Sequence, residues 1–414
     1  MTEPLTRSQQ LARAKMPALA VGAAGLALCA LGSIGGSESA AAHHKQFFTS
    51  YLFAWVFWLG VSLGSLGIIM MHHLLGGGWG LLIRRFGEAA ALVVPFMAVL
   101  FIPIILGVYY LYPWADPAAV ADDPVLQHKV PWLNFGFWTI RAVVYFALWT
   151  ALALLLRTTP LARPGVNTAS FFARVHRVSA VGIVIYFITM SFGGVDWIMS
   201  REAQWYSTVF GFILCVGQAV SAACVLIVML WLVHDEPPFR QIVQPNYLND
   251  LGNVLMTFVI LWAYLSFAQF LVIWLGNVQR EITWYLHRTE GGWRSVGTVL
   301  ILFHFLVPFI ILLQRPFKRK AGRLAVIAAG IFFVHIIDEL YWVTATGYPR
   351  NPSALTWLYI QGMNLVAFVG IGGLWIAAFL WILGRAPLIA EGERVPVAQV
   401  DHGHGRTGTS ETLG

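Results

Sequence analysis

Ten stretches of this chain are each long and apolar enough to cross a bilayer, which takes about 20 mostly apolar residues in a helix. They fall at approximately 16–35, 47–73, 88–112, 135–157, 176–198, 205–233, 250–276, 295–314, 323–344 and 356–383. In lipid every backbone N–H and C=O has to be satisfied by the protein itself, so only helices or a closed barrel can span, and runs of this length select helices. The expected fold class is an all-α polytopic membrane protein with ten transmembrane helices. The joints carry turn and helix-stopping residues: Gly76–Gly78, Pro113 with Pro117, Pro160 with Pro164, Pro237-Pro238, Gly291-Gly292, Pro316, and Pro349 with Pro352. Composition agrees, since 58% of the 414 residues are hydrophobic and only 11% charged, where a soluble domain carries about 25% charged residues.

Charge orients the chain. Of the 26 Lys and Arg, 18 lie in one set of joints and the termini, and 8 in the other set. The positive-inside rule then puts both termini in the cytoplasm, consistent with an even number of helices. The net charge of +7 is spread over short loops rather than gathered in a patch, which argues against nucleic acid as a partner. Cys29, Cys215 and Cys224 all lie in apolar runs and no CxxC or CxxCH occurs, so a disulfide framework, an iron–sulfur cluster and covalent haem are not expected within the chain. The first apolar run follows Arg7, Arg13 and Lys15, and is read as a retained helix rather than a signal peptide because no clear cleavage site stands apart from Ala40–Ala42.

A faint internal repeat organises the middle. His72 and His234 end helices 2 and 6, Glu88 and Asp250 begin helices 3 and 7, and both pairs are 162 positions apart; Arg157 and Arg315, ending helices 4 and 8, are 158 apart. Two four-helix bundles follow, helices 2–5 and 6–9, flanked by helices 1 and 10. The expected division is 1–46 (cytoplasmic N-terminus, helix 1 and outer loop), 47–198 (first bundle), 199–204 (outer connection), 205–344 (second bundle), 345–384 (outer loop and helix 10) and 385–414 (a cytoplasmic tail expected to be disordered). In the connecting stretch SFGGVDWIMSREAQWYSTVFGF, Gly193-Gly194 is expected to help the turn.

Ionisable residues inside spanning segments must be paired, hydrated or functional. Helix 9 carries His335, Asp338 and Glu339 at i, i+3 and i+4, hence on one face. At 1.5 Å per residue Asp338 lies roughly 22 Å from the inner end of helix 9 and His304 roughly 14 Å below the outer end of helix 8, so the four groups share the outer half of the membrane. They suit proton transfer; a polar core that fixes helix packing is the plainer alternative, and axial ligation of a haem b by His304 and His335 is allowed by depth but has no second histidine pair beside it. His72, His73 and Glu88 are candidates for the cytoplasmic mouth of the same path, with Ser62 and Ser65 beyond them, and Asp250 and Asp196 complete the candidate proton groups; Glu88 and Asp250 could equally serve a helix N-terminus. Trp55, Trp138, Arg141 and Asp196, with Tyr109 and Tyr110 at similar height, could form an aromatic wall with an ion pair suited to a quinone headgroup, or an interfacial belt. Arg201, Glu202, Trp205, Arg280 and Glu281, near the outer loops, are candidate partner-docking residues. No catalytic residue and no metal site is expected; His402 and His404 in the tail are too weak a pair.

The stretches FFTSYLFAWVFWLGVSLGSLGIIMMHHLLGG (47–77), VDWIMSREAQWYSTVFG (195–211) and DLGNVLMTFVILWAYLSFAQFLVIWLGN (250–277) resemble the F subunit family of bacterial alternative complex III, a quinol:cytochrome c oxidoreductase. That family is one of the NrfD-like, polysulfide reductase C-like membrane subunits, and the resemblance runs from Phe47 to about Gly384. It implies two four-helix bundles with two flanking helices, in the bacterial inner membrane. It further implies no haem or cluster in this subunit, which is not redox-active alone. The expected partners are a sister NrfD-like C subunit, a multihaem and a monohaem cytochrome c, an iron–sulfur subunit and membrane lipids. Haem c and iron–sulfur clusters sit in those partners, menaquinone or another quinone is used at the level of the complex, and this subunit supports quinol oxidation with a transmembrane proton path. A proton-coupled secondary transporter and a purely structural anchor are the competing expectations.

Overall fold

The computed structural model describes residues 7–34, 40–158, 168–279, 281–289, 292–349 and 352–388, and among them every regular element is helical. Among the described residues ten helices are long and apolar enough to cross a membrane: α1 Gln9–Gly32, α2 Ala40–Leu75, α3 Gly78–Leu106, α4 Phe135–Leu156, α5 Ala169–Arg201, α6 Phe210–Val233, α7 Pro245–Gly276, α8 Trp293–Leu313, α9 Ala321–Thr344 and α10 Ala354–Leu383. The chain is a multi-pass helical membrane protein. The tail beyond Leu388, with His402 and His404, lies outside the described residues.

Several helices start earlier than their apolar runs. α2 takes in His43, His44 and Lys45, and α3 takes in Arg84, Arg85 and Glu88. Glu88 therefore stands ten residues inside α3 rather than at its start. α7 begins at Pro245, five residues before Asp250, while α6 begins only at Phe210, leaving Trp205 and Tyr206 outside it. Gly193-Gly194 makes no turn: α5 runs through it, and a Cβ on Gly194 would lie 2.6 Å from a methyl of Leu214 on α6. Close helix packing, rather than chain reversal, is what needs the small residue there.

α2 lies at the centre, against α3, α5, α6, α9 and α10, and α6 beside it packs on α5, α7 and α9 as well. α1 rests chiefly on α10. The α1–α10 contact is a glycine seam: a Cβ on Gly25 would lie 2.7 Å from Gly370 Cα, and one on Gly373 would lie 2.6 Å from Gly22 N. Helices without a solvent-driven attraction gain contact energy this way, through close backbone approach.

Proline breaks α3 into short helical pieces at Leu92–Val93 and Leu100–Phe101, just before Pro95 and Pro103, which lack an N–H and disfavour a helical residue ahead of them. The Phe101 N–H turns to Ala98 O at 3.2 Å and the Ile104 N–H to Phe101 O at 2.9 Å. Met97 O and Leu100 O are freed, and α2 supplies their donors: Trp55 Nε1 to Met97 O at 2.9 Å and the Tyr51 hydroxyl to Leu100 O at 2.8 Å. Two carbonyls freed by the breaks are thereby bonded again, as the absence of water requires.

Candidate functional site

α8 carries a π-helical turn over Leu300–Leu306, with His304 inside it. Pro308 one turn later has no N–H for His304 O, so the α-helical ladder cannot pass that point unchanged. π-turns inside α-helices gather at functional positions. The turn aims His304 at α9, where His304 Nε2 lies 3.2 Å from His335 Nδ1. His335 Nδ1 lies in turn 3.3 Å from Asp338 Oδ2. The Asp338 carboxylate also accepts the indole N–H of Trp262 on Oδ2 and that of Trp342 on Oδ1, both at 2.9 Å. The Trp262 ring lies against His304, centroids 4.0 Å apart. His304, His335, Asp338 and Glu339 are 0%, 3%, 1% and 6% exposed. His304 Nδ1 and Glu339 Oε1 are buried with no hydrogen-bond partner. The sequence grouping of His304, His335 and Asp338 is thus a contiguous cluster, with Glu339 next to it in the chain. Haem ligation by the two histidines does not fit, because nitrogens 3.2 Å apart and in contact leave no room for a porphyrin between them.

Chemically, His335 Nδ1 is shared. A neutral imidazole has one N–H, so His335 Nδ1 either accepts from His304 Nε2 or, when it carries the proton, donates to it, with the Asp338 carboxylate 3.3 Å away. Moving a proton from His304 Nε2 to His335 Nδ1 would reverse that hydrogen bond and balances when His304 takes up a proton on Nδ1 and the other ring nitrogen of His335 releases its own. The Trp262 and Trp342 donors hold the carboxylate in place.

Toward the opposite ends of the helices the candidates group differently. Glu88 accepts from Thr158, whose hydroxyl is 2.7 Å from Oε1 and whose N–H is 3.2 Å from Oε2. Arg84 and Arg85 flank it at 3.7 and 3.8 Å. Arg85 Nη2 reaches Ile382 O and Leu383 O at the end of α10, where helix carbonyls favour a cation. His73 Nδ1 meets the Ser179 hydroxyl at 3.1 Å, and the His72 ring packs on Trp79 at 5.3 Å. Ser65 bonds back to Val61 O and Ser62 accepts from Trp375 Nε1, so both serve packing. Asp250 is exposed and stands apart from all of these buried groups.

Asp196 is a third, closed centre. Arg141 clasps it with Nε and Nη2 at 2.8 and 2.7 Å, while Tyr145 and Trp132 donate at 3.0 and 3.2 Å. Trp138 Nε1 bonds Asp196 O at 3.0 Å, and Trp55 lies edge-on to Trp197 at 5.1 Å. The structure therefore brings Trp55, Trp138, Arg141 and Asp196 together, but Tyr109 and Tyr110 are 65% and 40% exposed. Tyr112 takes their place, 5.7 Å from Trp138, with its hydroxyl on Trp197 O.

The connecting stretch faces inward, which corrects the docking expectation for three residues. Arg201, Glu202 and Trp205 are buried. Arg201 donates from Nη1 to Val343 O. Glu202 Oε1 lies 2.9 Å from His287 Nδ1, and Oε2 accepts from the Thr346 hydroxyl at 3.2 Å. Trp205 stacks on Trp284 at 3.6 Å, and Arg288 lies over the Trp284 ring at 3.2 Å. Burial lowers the pKa of the Arg288 guanidinium, and carbonyls of Trp284, Tyr341 and Trp342 accept its protons. Their side chains hold α2, α9 and the 277–292 loop together. Tyr206 is exposed and Glu281 half-buried, while Arg280 lies outside the described residues.

Sequence reasoning missed the groups that bind these acids: Trp262, Trp342, Tyr145 and Thr158. Trp342 is readable, four residues after Asp338 and so on its face. An indole N–H in mid-membrane, as at Trp262, also demands an acceptor. No family model matches the chain, and no match was found among curated proteins.

Proposed function

We propose that this chain is a membrane subunit of a quinol:cytochrome c oxidoreductase of the alternative complex III type, and that it carries protons through its outer membrane half along His304, His335 and Asp338. The observation that carries the proton reading is the unbroken row His304 Nε2, His335 Nδ1, Asp338 Oδ2, with steps of 3.2 and 3.3 Å, shut away from solvent. Groups that take and release protons, in contact and inside a membrane, are the ingredients of a relay. Glu88, His72 and His73 mark the cytoplasmic approach. On this reading helices 2–5 and 6–9 are the two bundles, the termini face the cytoplasm of a bacterial inner membrane, and the haem c, iron–sulfur and sister NrfD-like subunits cover the opposite face. Quinol oxidation, with its release of electrons and protons, takes place in the complex, and the electrons pass to the partners' cofactors.

The reading of the polar core as packing has its own support, since Trp262 and Trp342 both donate to Asp338. Affinity purification of the tagged full chain from its native membrane tests the assignment to a complex. Co-purification with c-type haem, iron–sulfur protein and quinol oxidation is expected. Recovery of the chain alone, with quinol oxidation left in the unbound fraction, contradicts it.

A further inference from the structure

We infer that His304, His335 and Asp338 form a binding site for a divalent transition-metal ion of the zinc class. The ligand atoms are His304 Nε2, His335 Nδ1 and one carboxylate oxygen of Asp338, all within 4.8 Å of one another. A tetrahedral zinc with bonds of 2.0–2.1 Å to nitrogen and oxygen sets its ligand atoms about 3.3 Å apart. The His304–His335 and His335–Asp338 spacings are 3.2 and 3.3 Å. Two edges of a coordination tetrahedron are therefore in place, and the third pair of ligand atoms lies within 4.8 Å.

Charge gives independent support. Asp338 and Glu339 are adjacent buried acids, and among the described residues neither forms an ion pair with a lysine or arginine. Glu339 Oε1 is buried with no hydrogen-bond partner. A buried carboxylate without a fixed cation is costly, and an ion held by Asp338 would supply one. The surroundings are those of a built site. Trp262 and Trp342 orient the carboxylate as outer partners do around protein-bound zinc. The imidazole and carboxylate set suits zinc rather than a soft, thiolate-seeking ion. Three protein ligands leave a fourth position open, as in sites that hold water or exchange ligands. An ion there takes the lone pairs that would pass a proton between the histidines, so binding and proton transfer compete for the same nitrogens. The site itself does not depend on the proton reading, because its test measures metal alone.

The test uses the full chain, expressed in zinc-supplemented medium, purified in detergent and washed with a chelator. Elemental analysis is expected to find one zinc per chain. X-ray absorption at the zinc edge should show two imidazoles and one carboxylate oxygen with no sulfur. His304→Gln and Asp338→Asn should lose the zinc, His176→Gln should keep it, and Trp262→Phe should weaken binding about 10- to 100-fold. Zinc absent from the washed wild-type chain overturns the inference. So does a sulfur-containing shell, or zinc retained in both ligand variants. Should a variant fail to fold, the wild-type absorption spectrum decides alone.

Discussion

Asp196 and Asp338 show how the same residue type is put to different uses. Asp196 has a fixed cation: Arg141 at 2.7 and 2.8 Å, with Tyr145 and Trp132 completing its shell. Removing one partner of such a buried pair leaves an uncompensated charge and costs about 3–5 kcal/mol. Arg141→Met is expected to lower the thermal unfolding midpoint markedly, and the double variant Arg141→Met with Asp196→Asn to recover part of the loss; an unchanged midpoint in the single variant contradicts the pairing. Among the described residues Asp338 has only indoles and an imidazole beside it, so its charge can be met by something that comes and goes. The sequence announced both acids by their position in apolar runs, and the His335–Asp338–Glu339 spacing placed the second on one face. The common height of Arg141 and Asp196 at the ends of helices 4 and 5 also allowed them to pair, as they do, but Tyr145 and Trp132 in the same shell were not legible, because only the fold brings them to the acid.

At the scale of elements, the spans were legible because the bilayer demands length and apolarity, whereas helix starts were not. Arg84, Arg85 and Glu88 look like a polar joint, yet they neutralise one another inside α3 and so extend it. The α1–α10 seam carries its own prediction. Gly370→Leu forces bulk against the Leu26 and Gly25 backbone, where a Cβ alone would lie 2.9 and 3.1 Å from the nearest atoms. Overpacking of this kind costs about 1–3 kcal/mol, and α1 should become cleavable by added protease while α2–α9 stay protected; wild-type resistance argues against the seam. In the 113–134 loop, Lys129 donates to Ala203 O at 2.6 Å. Burial lowers the pKa of its ammonium below the usual 10.5, and Asp123 opposes that only in part. The unfolded chain therefore binds more protons in the window just below 10.5, and stability rises with pH there. The midpoint of the wild type should gain on that of Lys129→Met as pH climbs through that window, and a falling difference contradicts this account of the loop's anchor.

For the whole molecule, the account is of a rigid helical body with a few polar centres set into it. The central helices α2 and α6 are enclosed by the others, and aromatic residues donate to Asp196 and Asp338. The connection between α5 and α6 looked like an exposed platform in the sequence because its charges stand beside long loops. It turns inward because Trp205, Trp284 and Arg288 stack into a single layer that draws Arg201 and Glu202 with them. The claim that ties these parts to function is proton movement through His304, His335 and Asp338. Its most direct measurement is proton release per quinol oxidised by the intact complex in sealed vesicles, with the wild-type chain and with Asp338→Asn. The substitution keeps the size of the side chain and an oxygen for one indole, so assembly should survive. The account predicts that proton transfer attributable to this chain falls about tenfold or more, in the range of lost acid–base participation, while Asp250→Asn leaves it unchanged. An Asp338→Asn complex that oxidises quinol and releases protons as the wild type does would contradict it.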